Sequence, residues 1–381
     1  MQMPPFALER FFARHEFAAR HLLCASDCES MTVAELLALE PGSPDRLAGL
    51  RLGYTESPGS PALRAVISGL YRTVHPDEVL VTSGAEEAIF LFMHAALSSG
   101  DTLVVHQPCY QSLAEVARSV GCRVVPWMAR EDAGWALDVD ELPRLAAGAR
   151  AVVLNVPHNP TGWLMDRPGF ERAARETHER GAMLFSDEVY RGLERTPAQM
   201  LPAAVDLSDS AVSMGVLSKT YGLPGLRIGW VATHHQAVRR RMAELKDYTT
   251  ICASGPSELL AEIALRHADE LAARSRRTIE ANLALLDSFF SRRAAMLSWV
   301  RPAAGPIGFP GVRGTDPRDL CRRALAEEGV LLAPGELFGS DESHFRIGFG
   351  RASFHAALEA LERVLARVQD RVDSQRAPGC G

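Results

Sequence analysis

From residue 79 onward the chain repeats one phrase. A short run of β-branched and other apolar residues ends in a polar or glycine-bearing turn, and an amphipathic stretch follows. VLVTSG (79–84) leads into AEEAIFLFMHAAL, and DTLVVH (101–106) into QSLAEVARSVG. CRVVPW, RAVVLNV (150–156), AMLFSD (182–187), SAVSMGV (210–216) and RIGWVAT (227–233) come next, with RPGFERAARETHERG as a helical spacer. A strand that is apolar at nearly every position, rather than at alternate ones, is buried on both faces. That is the situation of a mainly parallel sheet covered by helices on each side, so the fold class is α/β.

In open sheets of this kind, ligands bind beyond the carboxyl ends of the strands, so the residues that close each run carry the most weight. TSGAEE closes the first run with a turn that opens a helix, offering free backbone N–H groups and a positive dipole end suited to phosphate. NVPHNPTG closes another, and its two X-Pro steps hold Asn159 in one place. SDEVY places Asp187 at a strand end, where a carboxylate is costly to bury unless a cation or donors satisfy it. LSKTYGLPGLR places Lys219 before a Gly/Pro-rich turn. There, desolvation would lower the amine's pKa from ~10.4 toward neutrality and make it a nucleophile or base. Taken singly, each has a plainer reading: a strand-to-helix turn, turn punctuation, a helix cap, a solvated lysine.

Lys219 stands out in composition too. The chain has 41 lysines and arginines, of which only Lys219 and Lys246 are lysine. Lys246, in RRRMAELKDY, follows an arginine run and reads as a surface charge. A net charge of −6 argues against a nucleic-acid or anionic-membrane binder. Seven cysteines with no C-x-x-C pair, and 12 histidines with no H-E-x-x-H, predict free thiols and no metal site. Glu and Arg interrupt the N-terminal apolar stretch, and no run approaches the ~18 apolar residues of a membrane span. The expectation is a soluble cytoplasmic protein.

With 381 residues, two domains are expected. Residues 1–45 form an arm packing with the small domain, 46–280 a large sheet domain, 281–370 a small α+β domain, and 371–381 a disordered tail. Residues 257–293 read as one long helical region.

The order of these motifs is more specific than any one of them. HNPTG, SDEVY and LSKTYGLPGLRIGW, in that sequence, resemble the class I/II aminotransferases, which use pyridoxal 5'-phosphate (PLP) on the fold-type-I scaffold. The likeness runs from about residue 50 to 368. It implies a large domain with a mainly parallel seven-stranded sheet plus a smaller α+β domain. It also implies an enzyme acting on a small-molecule L-α-amino acid by transamination, and a homodimer with shared active sites. Lys219 would form the Schiff base with PLP and then act as the proton-shuttling base. Asp187 would pair with the pyridinium nitrogen, and Tyr190 and Asn159 would hydrogen-bond the ring oxygen. Tyr110 would stack on the ring. Gly84, Ala85 and Glu86 would give backbone N–H groups to the phosphate, assisted by Ser218 and Arg227. Arg346 would clamp the substrate α-carboxylate, to which Asn159 also lies close, and Tyr54 would reach the partner subunit's phosphate.

Two departures qualify the likeness. Val216 occupies a position where the family often has a phosphate-binding hydroxyl. The segment LLCASDCESMTVAELLAL (22–39) lacks the family's Gly-Pro substrate loop, and Asp27, Cys28 and Glu29 could present carboxylates to a cationic substrate side chain. Their plainer reading is a solvated capping stretch before a helix at 32–39. With LKDYTT and GVLLAPGELFG, this segment is similar to the capreomycidine synthase subgroup. That implies an alternative reaction, elimination, replacement or cyclisation of a polar or guanidine-bearing amino acid. A PLP-sensing regulator would carry a further N-terminal DNA-binding domain, and an NAD-dependent oxidoreductase would need a glycine fingerprint; the sequence presents neither.

Overall fold

The seven apolar runs become seven strands of one sheet: Val79–Thr82 (β1), Thr102–Gln107 (β2), Arg123–Met128 (β3), Ala151–Asn155 (β4), Met183–Asp187 (β5), Ala211–Val216 (β6) and Gly229–Ala232 (β7). The computed structural model describes residues 3–339 and 343–376, with side chains through 369. Strand order is β1-β7-β6-β5-β4-β2-β3. β7 runs antiparallel to β1 and β6, and every other pairing is parallel. Strands β1, β4, β5, β6 and β7 are buried at every position. β3, at the sheet edge, is largely exposed, as its Arg123 and Pro126 require.

This topology brings the carboxyl ends of β1, β2, β4, β5 and β6 to one edge of the sheet. The helix Gly84–Ala96 leaves β1 at that edge and packs against the helices Ser112–Val120 and Gln236–Lys246. The expected helical region at 257–293 is two helices, Gly255–Arg266 and Ala268–Arg292, broken at His267.

The smaller α+β unit holds a three-stranded antiparallel sheet. Phe345–Gly348 is its centre, flanked by Ala333–Pro334 and Ile307–Gly308. His21–Leu22, in the N-terminal arm, pairs in parallel with Val330–Leu331 of this unit. The last helix, Phe354–Arg376, runs beyond residue 370, where the sequence reading began a disordered tail. Residues 377–381 lie outside the described residues.

Among the described residues no helix is long and apolar enough to cross a membrane. Six of the cysteines are free thiols, and no cluster of three potential metal ligands occurs among the described residues.

One expectation is overturned here. Lys246 is not a surface charge: it is 0% exposed, and its Nζ donates to the carbonyls of Ser57 (2.7 Å) and Ile251 (3.0 Å). It closes the carboxyl end of its helix, where Arg240 and Arg241 are exposed but its own stem turns inward. The amine joins two backbone segments that carry exposed apolar side chains, Leu52 and Tyr54 on one, Tyr248 and Ile251 on the other.

Candidate active site

A cavity of about 530 Å³ opens at the shared strand edge. Asn155 and Asn159 follow β4 into it. Asp187, Val189 and Tyr190 follow β5, and Val216, Ser218 and Lys219 follow β6. The opposite wall comes from the N-terminal arm, through residues including Glu9, Phe12, Glu16, Ser26 and Asp27.

At one end, the turn after β1 forms a cup. Gly84 has φ +80°, and a Cβ on it would collide with Nη2 of Arg227. Glycine is therefore needed twice over, for the left-handed backbone and for the close approach of the guanidinium. Arg227 itself sits at φ +52°, strain of a kind concentrated at functional sites. Ala85 and Glu86, in the first turn of the 13-residue helix Gly84–Ala96, line the same end. Ser218 is buried, and its Oγ has no hydrogen-bond partner among the described residues. Burial pushes the Glu86 carboxyl up to about 7, although Ser112 Oγ donates to it at 3.0 Å. Val216 is buried at the cavity wall and brings no donor.

At the centre, Lys219 is partly accessible through the cavity and otherwise enclosed, and burial pulls its pKa down. Its Nζ donates to Ser26 Oγ at 2.7 Å. Asp187 is 5% exposed. Burial pushes its carboxyl up to about 7, against the opposing pull of the Val189 N–H and the Lys219 charge. Tyr190 is buried with its phenol oxygen unpartnered, and burial raises its pKa. Asn155, which the sequence reading missed, ties the strand ends together. Its Nδ2 donates to the Asp187 carbonyl (3.0 Å), and its Oδ1 accepts from the Asn159 N–H (2.7 Å). An asparagine closing an otherwise apolar strand was the available signal.

The outer residues divide. Tyr110 lines the cavity and donates to Glu9 Oε1 at 2.8 Å. Arg346 is 1% exposed. Its Nη1 donates to Asn159 Oδ1 (3.1 Å), and its Nε and Nη2 donate to the Cys24 carbonyl (3.1 and 2.8 Å). Tyr54 is 93% exposed and stands away from this chain's own cavity.

Of the three N-terminal candidates, only Asp27 lines the cavity, and Arg351 holds it through two contacts of 2.8 and 3.1 Å. Cys28 and Glu29 are not brought there. Cys28 is buried, and its carbonyl lies near Gly222. The Glu29 carboxylate accepts the Ala352 N–H at 2.7 Å. Ser26, Glu9, Glu16 and Arg351 line the cavity without having been singled out from sequence. Burial raises the Glu16 carboxyl, with Arg351 opposing.

These features fit PLP. The Gly84 cup with Arg227 and the unpartnered Ser218 hydroxyl suits a phosphate. The unpartnered Tyr190 phenol suits a ring oxygen. The Asp187 carboxylate, costly to ionise alone, calls for a cation such as a protonated ring nitrogen.

Comparison with known proteins agrees with the geometry. The pattern of the family described as aminotransferase class I and II matches residues 22–366. Capreomycidine synthase of Streptomyces vinaceus is 33% identical over 386 aligned residues, spanning 97% of this chain and 94% of that protein. A PLP-dependent aminotransferase from Streptococcus suis superposes with a TM-score of 0.90 at 35% identity, covering 96% of this chain and 99% of that one. The PLP-dependent cyclase OrfR superposes with a TM-score of 0.89 at 32% identity, covering 96% and 98%.

Proposed function

This chain belongs to the aminotransferase class I and II family, and on that premise we propose that it removes the α-proton of an L-α-amino acid and passes the amino group on by transamination. The observation that carries the reading is the Lys219 amine, partly accessible at the floor of a cavity it shares with the buried Asp187 carboxylate. Pyridoxal 5'-phosphate, when bound, supplies an aldehyde that condenses with amines and a protonated ring that takes up the electrons left when a proton departs Cα.

The chain's own groups do the rest. Lys219 would hold the cofactor, and its amine, when free, would take the α-proton. Asp187, 5% exposed, would keep the ring nitrogen protonated by charge attraction. Tyr190 and Asn159 hold the ring oxygen. The backbone N–H groups of Gly84, Ala85 and Glu86, with Ser218 and Arg227, hold the phosphate. Tyr110 packs on the ring. Arg346 lies beside Asn159 and receives the α-carboxylate on its guanidinium, displacing the Cys24 carbonyl contacts.

A second reading is favoured by the carboxylates of Glu9 and Glu16 in one wall of the cavity, beside Asp27 paired to Arg351. They suit a substrate with a cationic side chain. Capreomycidine synthase and a PLP-dependent cyclase are among the similar proteins, so the reaction on this reading is elimination, replacement or cyclisation of a guanidine-bearing amino acid. A homodimer with shared sites is part of both readings, supported by the exposure of Leu52 (85%), Tyr54 (93%) and Tyr248 (90%) on one chain.

The purified protein should carry a yellow chromophore that borohydride fixes to Lys219, and Lys219→Ala should lose that link. A protein that binds no PLP would sink the proposal. Incubated with L-arginine and a 2-oxo acid, a transaminase releases a new 2-oxo acid and converts the cofactor to its amine form. Turnover of an arginine bearing a β-hydroxyl, with no amine form appearing, would decide for the second reading.

A further inference from the structure

Ser26 lies 193 residues from Lys219 in sequence, yet its Oγ accepts a hydrogen bond from Nζ at 2.7 Å. It is not a loose loop hydroxyl. The segment around it is anchored by backbone bonds to the smaller unit: Leu23 N–H to the Leu331 carbonyl (3.1 Å), Gly348 N–H to the Leu23 carbonyl (2.7 Å), and Glu29 N–H to the Gly350 carbonyl (2.8 Å). The paired Asp27–Arg351 contacts fix the next residue. Close approach is possible because position 348 is glycine; a Cβ there would collide with the Ala25 carbonyl. Nothing in the family likeness assigned this serine a role.

We propose that Ser26 is a positioning residue: its hydroxyl holds the Lys219 amine whenever that amine is free and aims it at the substrate α-carbon. The proposal rests on the reading of this cavity as a PLP site. The need is physical. A freed lysine swings on a four-carbon stem with ~2 kcal/mol of rotamer entropy, and one hydrogen bond to a fixed hydroxyl selects a single direction. In the step itself the Cα–H bond breaks, an N–H bond forms at Nζ, and the electron pair stays with the carbon. The resulting ammonium donates to Ser26 Oγ, and the proton is returned from Nζ in the reverse sense.

A hydroxyl suits this position better than a carboxylate. It accepts from an ammonium and can also donate to, or accept from, a neutral amine, so it serves both protonation states. The charged groups facing the amine include Asp27, Arg346, Glu9, Asp187 and Glu16, and the Tyr190 phenol faces Ser26. Asp27 is already engaged by Arg351, which limits its hold on the ammonium, while burial keeps the amine's pKa below that of a free lysine.

Ser26→Ala and Ser26→Thr test the proposal in two states. In cofactor-free protein with its thiols blocked beforehand, the only other lysine, Lys246, is fully covered, so among the lysines arylation by fluorodinitrobenzene reports on Lys219. The rate against pH, read as mass gain on the Lys219 peptide, gives the titration of the amine. Loss of the acceptor should move the midpoint down by about 0.5–1 unit, and threonine should restore it. In holoenzyme, Ser26→Ala should keep the chromophore while exchange of the substrate α-proton with D₂O falls at least ~10-fold. An alanine variant that folds, binds PLP and stays within about twofold of wild type in both measurements overturns the proposal. A wild-type protein without chromophore would instead strike the PLP reading. Should alanine impair folding, Ser26→Cys keeps the volume, removes the strong acceptor and answers the same question.

Discussion

Asp187→Asn should make the cofactor-free protein more stable while it weakens the enzyme. In the absence of a cation, burial moves the Asp187 carboxyl from 3.8 to about 7. At ~1.4 kcal/mol per unit, keeping it ionised above that pH costs the folded protein about 4 kcal/mol; water in the cavity reduces this, so about 2–4 kcal/mol is expected. The sign follows from proton counting. Between about pH 4 and 7 the unfolded chain has released this proton and the folded chain has kept it. Stability therefore falls as pH rises through that window and is flat above it. Asparagine has no proton to release, so the gap between variant and wild type should open from near zero at about pH 4 to its full size above pH 7. With an unfolding entropy of ~2.1 cal/mol/K per residue over 381 residues, or ~0.8 kcal/mol/K, that gap is about 3–5 °C in Tm. Thermal melts of cofactor-stripped protein at several pH values measure it, and visible absorbance titrations measure the accompanying loss of PLP affinity. A variant that melts lower than wild type at pH 8, or a gap independent of pH, would refute the reasoning.

Three further outcomes follow from the same geometry. Lys246→Met should lower Tm by about 3–5 °C, because two covered carbonyls lose their donor at a cost of about 2–4 kcal/mol. Gly84→Ala should keep the fold, by circular dichroism, while PLP dissociation rises at least ~10-fold in equilibrium dialysis, since a Cβ displaces Arg227 from the cup. Leu52→Asp should convert a dimer into monomers by sedimentation velocity if Leu52, Tyr54 and Tyr248 are covered by a second copy.

What could be read from sequence was local. Strand identity follows from the run of apolar residues itself. The functional ends of β4, β5 and β6 follow because a polar side chain beside Gly or Pro is conspicuous after such a run. What could not be read depends on chain closure. The N-terminal candidates centre slightly late, on 27–29, whereas Leu22 and the run Cys24–Asp27 reach the cavity. Which side of that segment faces inward is decided by its pairing with Leu331, Gly348 and Gly350, more than 300 residues away. Lys246 was misplaced for the same reason, since one of its two partners, Ser57, lies 189 residues earlier.

The two lysines show why burial alone does not make an amine reactive. Both have pKa values lowered by burial, so a reading based on titration would rank them together. Their partners separate them. Lys246 spends two of its three N–H donors on carbonyl oxygens, which can only accept, so these contacts favour the ammonium against the effect of burial. Lys219 meets a hydroxyl, which tolerates the neutral amine, and a cavity large enough for a ligand. Arginine, always protonated, could not form the Schiff base proposed for position 219. In a chain otherwise supplied with arginine, one lysine stands in the proposed active site and the other joins two backbone segments.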